Sequence, residues 1–380
     1  MKKIGIITLY NNTNNYGGAL QAFALSYYLR AIGEECKQIS YMQNAITLMN
    51  AREKRNRLRK ILQLKEVYEY ICKKVKREIY IYLTKGRRKY FEVFLNDIPH
   101  TEVFDRRNIV ETNKYFDIFI AGSDQIWNFD WYDPSFFLDF VEKGKLKFSY
   151  AASFGRQIFS QEQEDIIKSK LSTFKYISLR EKGNVNNVSR ILNRDVSFVV
   201  DPTLLLTRKQ WDDVLPGKKY EQGYVFCYFL GDDIEIRKTA IEFSKKTNMK
   251  IITIPHPDSL LISDLLFKAE KKYNASPLDF VELIKNASFV FTDSFHCCAF
   301  SCLYEKEIFA FPRKGKKGME NRIKSLFELF DISERFFENK VKFDNFILLN
   351  KRIKYDTTKY YEVREFSKKY LDMCIELGRE

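Results

Sequence analysis

His296 is the residue whose type and position most clearly suggest catalysis. It follows the apolar run Phe289–Thr292 and opens a second apolar stretch, so we expect it where a strand ends and a helix begins. An imidazole titrates near neutral pH and can act as a general acid or base, whereas the alternative is a histidine that caps the helix or packs in the core. His100, in a polar segment, and His256, between two prolines, are expected to be surface loop residues.

Cationic side chains form the second set of candidates. Arg180 ends an apolar stretch, and its planar guanidinium can bind a carboxylate or phosphate through two hydrogen bonds; the alternative is an ion pair with Glu181 or another carboxylate. Further basic residues lie in and just after the loop 311–318: Arg313, Lys314, Lys316, Lys317 and Arg322. This loop is expected either to close over a phosphate group or to be a solvated charged surface.

The cysteines do not indicate a metal site. Cys297, Cys298 and Cys302 follow His296, but adjacent residues on a helix point in different directions and no Cys-x-x-Cys pair accompanies them. We therefore expect these side chains to pack a helix against a sheet, with no metal bound. Seven cysteines without paired spacing favour a reducing compartment, and the dinucleotide, P-loop, zinc-protease and α/β-hydrolase motifs are absent.

The elements that must position these candidates follow an alternating strand and helix pattern. Strands are predicted over residues 3–9, 36–41, 116–121, 148–152, 176–179, 198–200, 224–230, 250–254 and 289–292, and helices over 20–31, 234–246 and 277–286. This pattern predicts an α/β fold with two Rossmann-like domains. Because ligands bind at the carboxyl ends of parallel strands, the polar clusters at those ends should converge on one cleft between the domains.

Length and charge suggest how the chain is divided. For 380 residues we predict an N-terminal α/β domain (1–206), a C-terminal α/β domain (207–345) and a helical tail (346–380). The net charge is +14, and residues 52–90 hold 15 Lys and Arg against 4 Asp and Glu. This basic amphipathic helical insertion, about 51–90, is expected either to bind an anionic membrane surface or to pack its apolar stripe (Leu58, Ile61, Tyr68, Ile71, Val75, Ile79) on the N-terminal domain. No apolar run is long enough to span a membrane.

Taken in order, several segments resemble the polysaccharide pyruvyl transferase family. They are residues 4–9, 14–22, 120–128, 150–155, 179–181, 201–205, 292–301 and 321–323, and the resemblance extends from residue 4 to about residue 330. It implies two Rossmann-like domains facing a cleft, as in two-domain, GT-B-like glycosyltransferases. It also implies transfer of pyruvate from phosphoenolpyruvate to a sugar as a ketal, with release of phosphate. Phosphoenolpyruvate is a co-substrate, and no cofactor or metal is expected.

The resemblance also implies roles for individual residues. Arg180 matches the arginine that contacts the donor, and His296 matches the histidine that serves as donor ligand and acid. Many members have an arginine where this chain has Ser294, so the missing cation must be supplied by Arg313, Lys314, Lys316 or Arg322. Asp124 or Asp293 is expected to act as the base. The acceptor side is expected to comprise Asn15, Tyr16, Gly17, Gly18, Ser123, Gln125 and Ser153.

These roles imply a particular cellular setting. We expect a cytoplasmic enzyme, peripheral at the inner face of the membrane, that modifies a saccharide of a capsule or exopolysaccharide, carried on a polyprenyl lipid. No nucleic-acid partner is expected, because the basic segment lacks a nucleic-acid-binding motif. One alternative is a nucleotide-sugar-dependent glycosyltransferase of the same architecture, and another is a non-catalytic basic binding module.

Overall fold

The computed structural model describes residues 2–11, 14–43, 64–218, 220, 223–314, 318–348 and 351–378. The strands in these ranges are β1 (Lys3–Ile7), β2 (Glu35–Tyr41), β3 (His100–Phe104), β4 (Ile118–Ala121), β5 (Leu146–Ser149), β6 (Ser178–Leu179), β7 (Ser197–Phe198), β8 (Tyr224–Tyr228), β9 (Lys250–Thr253), β10 (Glu270–Lys271), β11 (Phe289–Thr292) and β12 (Glu307–Ala310). The helices are α1 (Tyr16–Ala31), α2 (Leu64–Leu83), α3 (Lys85–Asn96), α4 (Gln161–Leu171), α5 (Lys182–Leu192), α6 (Arg208–Val214), α7 (Ile234–Thr247), α8 (Ile262–Leu266), α9 (Pro277–Asn286), α10 (Phe295–Leu303), α11 (Asn321–Leu329), α12 (Lys340–Leu348) and α13 (Thr358–Leu377). For residues 64–72 only the backbone is described.

The N-terminal sheet is parallel, with strand order β3-β2-β1-β4-β5. Its central strand β1 is apolar, and Ile4, Ile6 and Ile7 are fully buried because the sheet is covered on both faces. The chain order reverses between β1 and β4, so the loops that follow these two strands diverge and leave a crevice at their carboxyl ends. The short pair β6 and β7 continues the sheet through isolated bridges such as Ala152 to Leu179.

The C-terminal sheet repeats this design, with order β10-β9-β8-β11-β12 and every pairing parallel. Here the reversal lies between β8 and β11. The loop after β11 begins at Asp293 and leads into α10, which places His296 at a strand-to-helix junction as predicted. The two sheets lie on either side of the predicted domain boundary near Leu206. The expectation of two α/β units is confirmed.

The domains share a packed aromatic interface. The ring of Tyr16, at the start of α1, stacks on Phe280 of α9 with ring centroids 5.0 Å apart, and its hydroxyl donates to the Ala275 carbonyl at 2.9 Å. Helix α13 returns to the N-terminal domain, where the Tyr370 hydroxyl donates to the Ser149 carbonyl at 2.9 Å. Both contacts join segments that are more than 200 residues apart in the chain.

The helical insertion also reaches the C-terminal domain. Arg87 of α3 is fully buried and donates to the carbonyl oxygens of Pro255, His256 and Tyr273, and the Tyr80 hydroxyl contacts the Pro257 carbonyl. The Val75 and Ile79 residues of the predicted stripe are 50% and 44% exposed, so packing of this part of the stripe on the N-terminal domain is wrong. The other stripe positions, Leu58, Ile61, Tyr68 and Ile71, lie outside the described residues or have no described side chain.

Of the two histidines that were expected in surface loops, His100 lies in a strand and His256 lies in a loop. His100 is the first residue of the edge strand β3, which carries no recognisable strand pattern because three polar residues, His100 to Glu102, precede Val103 and Phe104. His256 is half-buried, and its Nδ1 accepts a hydrogen bond from the Asp258 amide at 3.2 Å. Burial lowers the pKa of His256, with Arg313 adding to that effect.

Candidate functional site

A cavity of about 520 Å³ lies between the two domains. Its N-terminal wall comes from the loops after β1 and β4, and its C-terminal wall includes the loop after β8, residues 256–258 and Arg313. Of the residues predicted to form the site, Asn15, Asp124, Gln125 and Arg313 line this cavity. The cleft therefore lies where the strand-end prediction put it.

A buried ionic cluster lies beside Asp124. The Arg180 guanidinium donates to Asp124 Oδ1 at 2.9 Å and to Asp201 Oδ2 at 2.6 Å, and its side chain is 1% exposed. Burial opposes ionisation of both aspartates, but Arg180 and His296 outweigh it and hold their pKa values below the ordinary value. Arg180 thus stabilises two carboxylates. The expected contact between Arg180 and the donor substrate stays a prediction.

His296 joins this cluster from the C-terminal domain. Its Nε2 lies 3.6 Å from Asp201 Oδ2, has no hydrogen-bond partner among the described residues, and belongs to a side chain that is 8% exposed. The ring also packs against Gly17 of α1, because a Cβ atom at that position would lie 1.9 Å from His296 Nδ1. Arg180 and His296 lie against the same oxygen of Asp201, but neither is among the residues that line the cavity, so their contact with a ligand in the cleft stays a prediction.

Two arginines of the cluster lie close to the ring of Phe295. The guanidinium of Arg180 lies 4.5 Å from the centre of the Phe295 ring, and that of Arg322 lies 5.8 Å from it. Burial and the neighbouring Arg180 charge lower the pKa of Arg322 to about 10. Arg322 also donates from Nε to the Met319 carbonyl at 3.4 Å, and it lies in the first turn of α11.

Among the predicted donor-site cations that the structure describes, Arg313 lines the cavity. Its Nε is buried without a hydrogen-bond partner in the described part of the chain. Ser294 is buried before α10, and Lys316 lies outside the described residues. Asp293 accepts hydrogen bonds from the amides of Leu230 and Gly231, at 2.6 and 2.7 Å, and burial raises its pKa. Asp293 therefore fixes the loop after β8, whereas Asp124 lines the cavity.

The predicted acceptor residues divide into two groups. Asn15 and Gln125 line the cavity, whereas the Tyr16 ring is fully buried in the domain interface and does not reach it. The hydroxyls of Ser123 and Ser153 are also buried, where they donate to Asp201 and Glu181 respectively. Gly17 contacts His296, and the Gly18 amide donates to Asn15 Oδ1. Apart from Asn15 and Gln125, these residues therefore pack and hydrogen-bond within the protein and do not present polar groups to a ligand in the cavity.

Three residues of the site were missed as candidates. Asp201 belongs to the segment 201–205 that resembles the family but is not among the predicted site residues, although it joins Arg180 to His296. Glu181 is predicted from the sequence only as an ion-pair partner of Arg180. Burial raises the pKa of Glu181 against the opposing effect of Arg180. His256 lines the cavity beside two prolines. Its position after β9, at a strand end, was the signal that could have identified it.

The cysteines have the packing role that the sequence indicated. Cys297, Cys298 and Cys302 are fully buried on α10, and burial raises the pKa of the Cys297 thiol to about 12. Within the described ranges no three His, Cys, Asp or Glu side chains form a group that could hold a metal ion. None of the described helices combines the length and apolar character needed to cross a bilayer.

The fold and the family follow from comparison with known proteins. UDP-GlcNAc 2-epimerase from Methanocaldococcus jannaschii aligns over 96% of this chain and 99% of its own, with 14% identity and a TM-score of 0.52. The enzyme of the same name from Rickettsia bellii aligns over 100% and 97%, with 12% identity and a TM-score of 0.51. This likeness shows the fold, a GT-B-like pair of facing α/β domains. No curated protein matches the sequence. The family model for polysaccharide pyruvyl transferase matches residues 15–315, and the chain therefore belongs to the polysaccharide pyruvyl transferase family.

Proposed function

We propose that this transferase moves a pyruvyl group from phosphoenolpyruvate to two hydroxyls of a sugar in a cell-surface polysaccharide or its precursor. A proton is added to the methylene carbon of the donor, and positive charge develops at C2. Two sugar oxygens then bond to C2 as the bond between C2 and the phosphate oxygen breaks. Of the two hydroxyl protons, one replaces the proton given by the acid and the other leaves on the phosphate. The products are a pyruvate ketal and inorganic phosphate.

The observation that carries this proposal is the environment of His296. Its Nε2 is buried, has no hydrogen-bond partner among the described residues, and faces Asp201 Oδ2 at 3.6 Å. Histidine is the side chain that most often serves as a general acid or base, and a buried Nε2 without a protein partner leaves a nitrogen that a substrate atom could meet. Since His296 packs against Gly17 of the other domain, its access to the donor depends on how closely the domains approach each other.

Arg313 is the best-placed cation for the donor. It lines the cavity, and its buried Nε has no partner in the described residues, whereas Arg180 is already bound to two carboxylates. A guanidinium binds a carboxylate or phosphate through charge-assisted hydrogen bonds. We assign donor contact to Arg313, and to Arg180 the task of holding Asp124 and Asp201 in place.

Asp124 is the carboxylate we propose for the sugar hydroxyls. It lines the cavity and stays ionised because Arg180 and His296 keep its pKa low. An ionised carboxylate can orient a hydroxyl and accept its proton as the bond to C2 forms. Asp293 is less suitable, because both of its oxygens accept backbone hydrogen bonds from the loop after β8.

The test is a transfer assay with purified protein. Phosphoenolpyruvate is supplied with a pool of lipid-linked and free saccharides, and phosphate release is measured together with acid-labile pyruvate on the saccharide. His296→Gln should lower the rate by about 10²- to 10⁴-fold with little change in melting temperature. Parallel reactions contain nucleotide sugars in place of phosphoenolpyruvate. Glycosyl transfer there, with no phosphate release from phosphoenolpyruvate, would refute the proposal and favour a nucleotide-sugar enzyme.

We also propose that the acceptor is polyprenyl-linked and that α2 holds the enzyme at an anionic membrane surface. Lys73, Lys74, Lys76 and Arg77 are exposed around the exposed side chain of Val75. Each basic residue near anionic lipid contributes about 1 kcal/mol, so a few suffice for reversible binding. Changing Lys73 and Lys74 to Gln should weaken sedimentation with phosphatidylglycerol vesicles by about tenfold at low salt. The exposed pair Lys245 and Lys246 of α7 serves as the matched control, and equal effects of both pairs would refute the role of α2.

A further inference from the structure

One end of the interdomain cavity is built around Trp131. This half-buried side chain lines the cavity, and both its indole and its backbone carbonyl are hydrogen-bonded. Its indole Nε1 donates to the Gln125 carbonyl at 3.1 Å, and its own carbonyl accepts from Gln43 Nε2 at 2.7 Å. An aromatic ring whose orientation is fixed before a ligand arrives loses little conformational freedom on binding.

Amide side chains beside Trp131 are fixed in the same way. Asn128 Nδ2 donates to Gln125 Oε1 at 2.8 Å, and Asn128 Oδ1 accepts from the Asp130 amide at 2.9 Å. Gly155 allows this pair to form, since it has a φ of +69° and a Cβ there would lie 2.4 Å from Gln125 Oε1. The wall therefore carries a preformed set of hydrogen-bonding groups next to an aromatic ring.

The charge of this end does not suit a phosphate group. The carboxylates of Asp124 and Asp130 lie on the N-terminal wall, whereas Arg313 lies on the C-terminal wall. Asp130 is bound to Arg156 through Oδ1, and its side chain is 47% exposed. Carboxylate and amide oxygens accept hydrogen bonds from hydroxyl groups, but carboxylates repel an anion.

We propose that this end of the cavity is a saccharide subsite, in which a pyranose ring lies against Trp131 and its hydroxyls bind Asp130, Asn128 and Gln43. The apolar face of a sugar packs on an aromatic ring, while its rim of hydroxyls needs acceptors and donors at fixed positions. The inference rests on the proposed function, which identifies the bound saccharide as the acceptor of the reaction. The acceptor then lies on the N-terminal wall, and Arg313 on the opposite wall is left for the donor.

Tryptophan fluorescence gives a direct measurement of this binding. The chain has three tryptophans, and Trp127 and Trp211 are 1% and 0% exposed, so Trp131 is the one that a ligand in the cavity can contact. Titration with a panel of neutral disaccharides containing galactose, glucose, N-acetylglucosamine or N-acetylmannosamine should shift or quench the emission. Trp131→Phe should abolish the signal change, and Trp131→Ala should also raise the saccharide KM by about tenfold or more while the KM for phosphoenolpyruvate changes less than about twofold.

Each outcome decides for or against the subsite. A response that persists in Trp131→Phe, or no response to any member of the panel, overturns the inference. Tighter binding of UDP-N-acetylglucosamine than of the neutral saccharides overturns it in favour of a nucleotide site. Saccharide-dependent quenching without phosphate release from phosphoenolpyruvate refutes the proposed reaction and leaves the subsite standing. Phosphate release with an unchanged saccharide KM in Trp131→Ala supports the proposed reaction and refutes the subsite.

Discussion

Gly17→Ala should disable the enzyme by displacing His296. The added Cβ would lie 1.9 Å from His296 Nδ1 and 2.5 Å from two ring carbons, whereas ordinary contacts begin at 3.4 Å. The imidazole must therefore move by about 1.5 Å, or the two domains must separate by a similar distance. Since a displacement of about 1 Å can reduce a catalysed rate by about 10²-fold, we expect kcat to fall by at least that factor.

The same substitution has opposing effects on stability. Overpacking against His296 costs about 1–3 kcal/mol, whereas replacing glycine by alanine within a helix contributes up to about 1 kcal/mol of stability. In a His296→Ala background the clash disappears and only the helical gain remains. Urea denaturation of the wild type, both single variants and the double variant measures the coupling between these two positions, which we expect to be about 1–3 kcal/mol.

Activity and coupling together test the reasoning. The transfer assay should show a large loss in Gly17→Ala, and the double variant should be no less stable than His296→Ala alone. Full activity in Gly17→Ala would show that His296 need not occupy the position seen here. An equal loss of stability in both backgrounds would show that Gly17 matters for a reason other than its contact with the imidazole.

Three further outcomes concern the charged groups. Arg180→Met should lower the free energy of unfolding by about 3–5 kcal/mol, because two buried carboxylates lose their partner, and a smaller loss by urea denaturation would contradict that role. Arg313→Gln should raise the KM for phosphoenolpyruvate by about 10- to 100-fold with an unchanged melting temperature. A lower melting temperature with an unchanged KM would show instead that Arg313 has a structural role. The pKa of Asp201 is held below its ordinary value of 3.8 in the folded protein. The difference in stability between wild type and Asp201→Asn should therefore be largest above about pH 4 and shrink as the pH falls below that value. A difference that does not depend on pH would contradict the lowered pKa of Asp201.

The sequence was most informative where strands are buried on both faces. β1 and β11 are short apolar runs, and they lie within one or two residues of their predicted positions because burial on both faces demands continuous apolar residues. β3 and β12, each at a sheet edge, were not predicted: β3 opens with three polar residues, and β12 is a short strand of four residues that opens with Glu307. Local patterns thus predicted the sheet centres better than their margins.

The site could be predicted in its parts but not in its contacts. Strand-end position identified Arg180 and His296, because ligand sites in parallel sheets lie at those ends. Their meeting at Asp201 depends on how the two domains are oriented, and no local pattern encodes that. The contact between Gly17 and His296 joins residues 279 positions apart, so it could not be predicted from local sequence patterns either.

Helix α13 has a consequence for how the protein is made. Its residues Arg364, Ser367 and Tyr370 bond to Leu205, Val200 and Ser149, so they complete the core of the N-terminal domain. A ribosome adds about 5–20 residues each second, and the stretch from residue 207 to residue 358 therefore takes roughly 10–30 s to synthesise. During that interval the nascent N-terminal domain exposes the apolar surface that α13 later covers. Binding of a chaperone to the nascent chain should persist through this window and end once α13 leaves the ribosome.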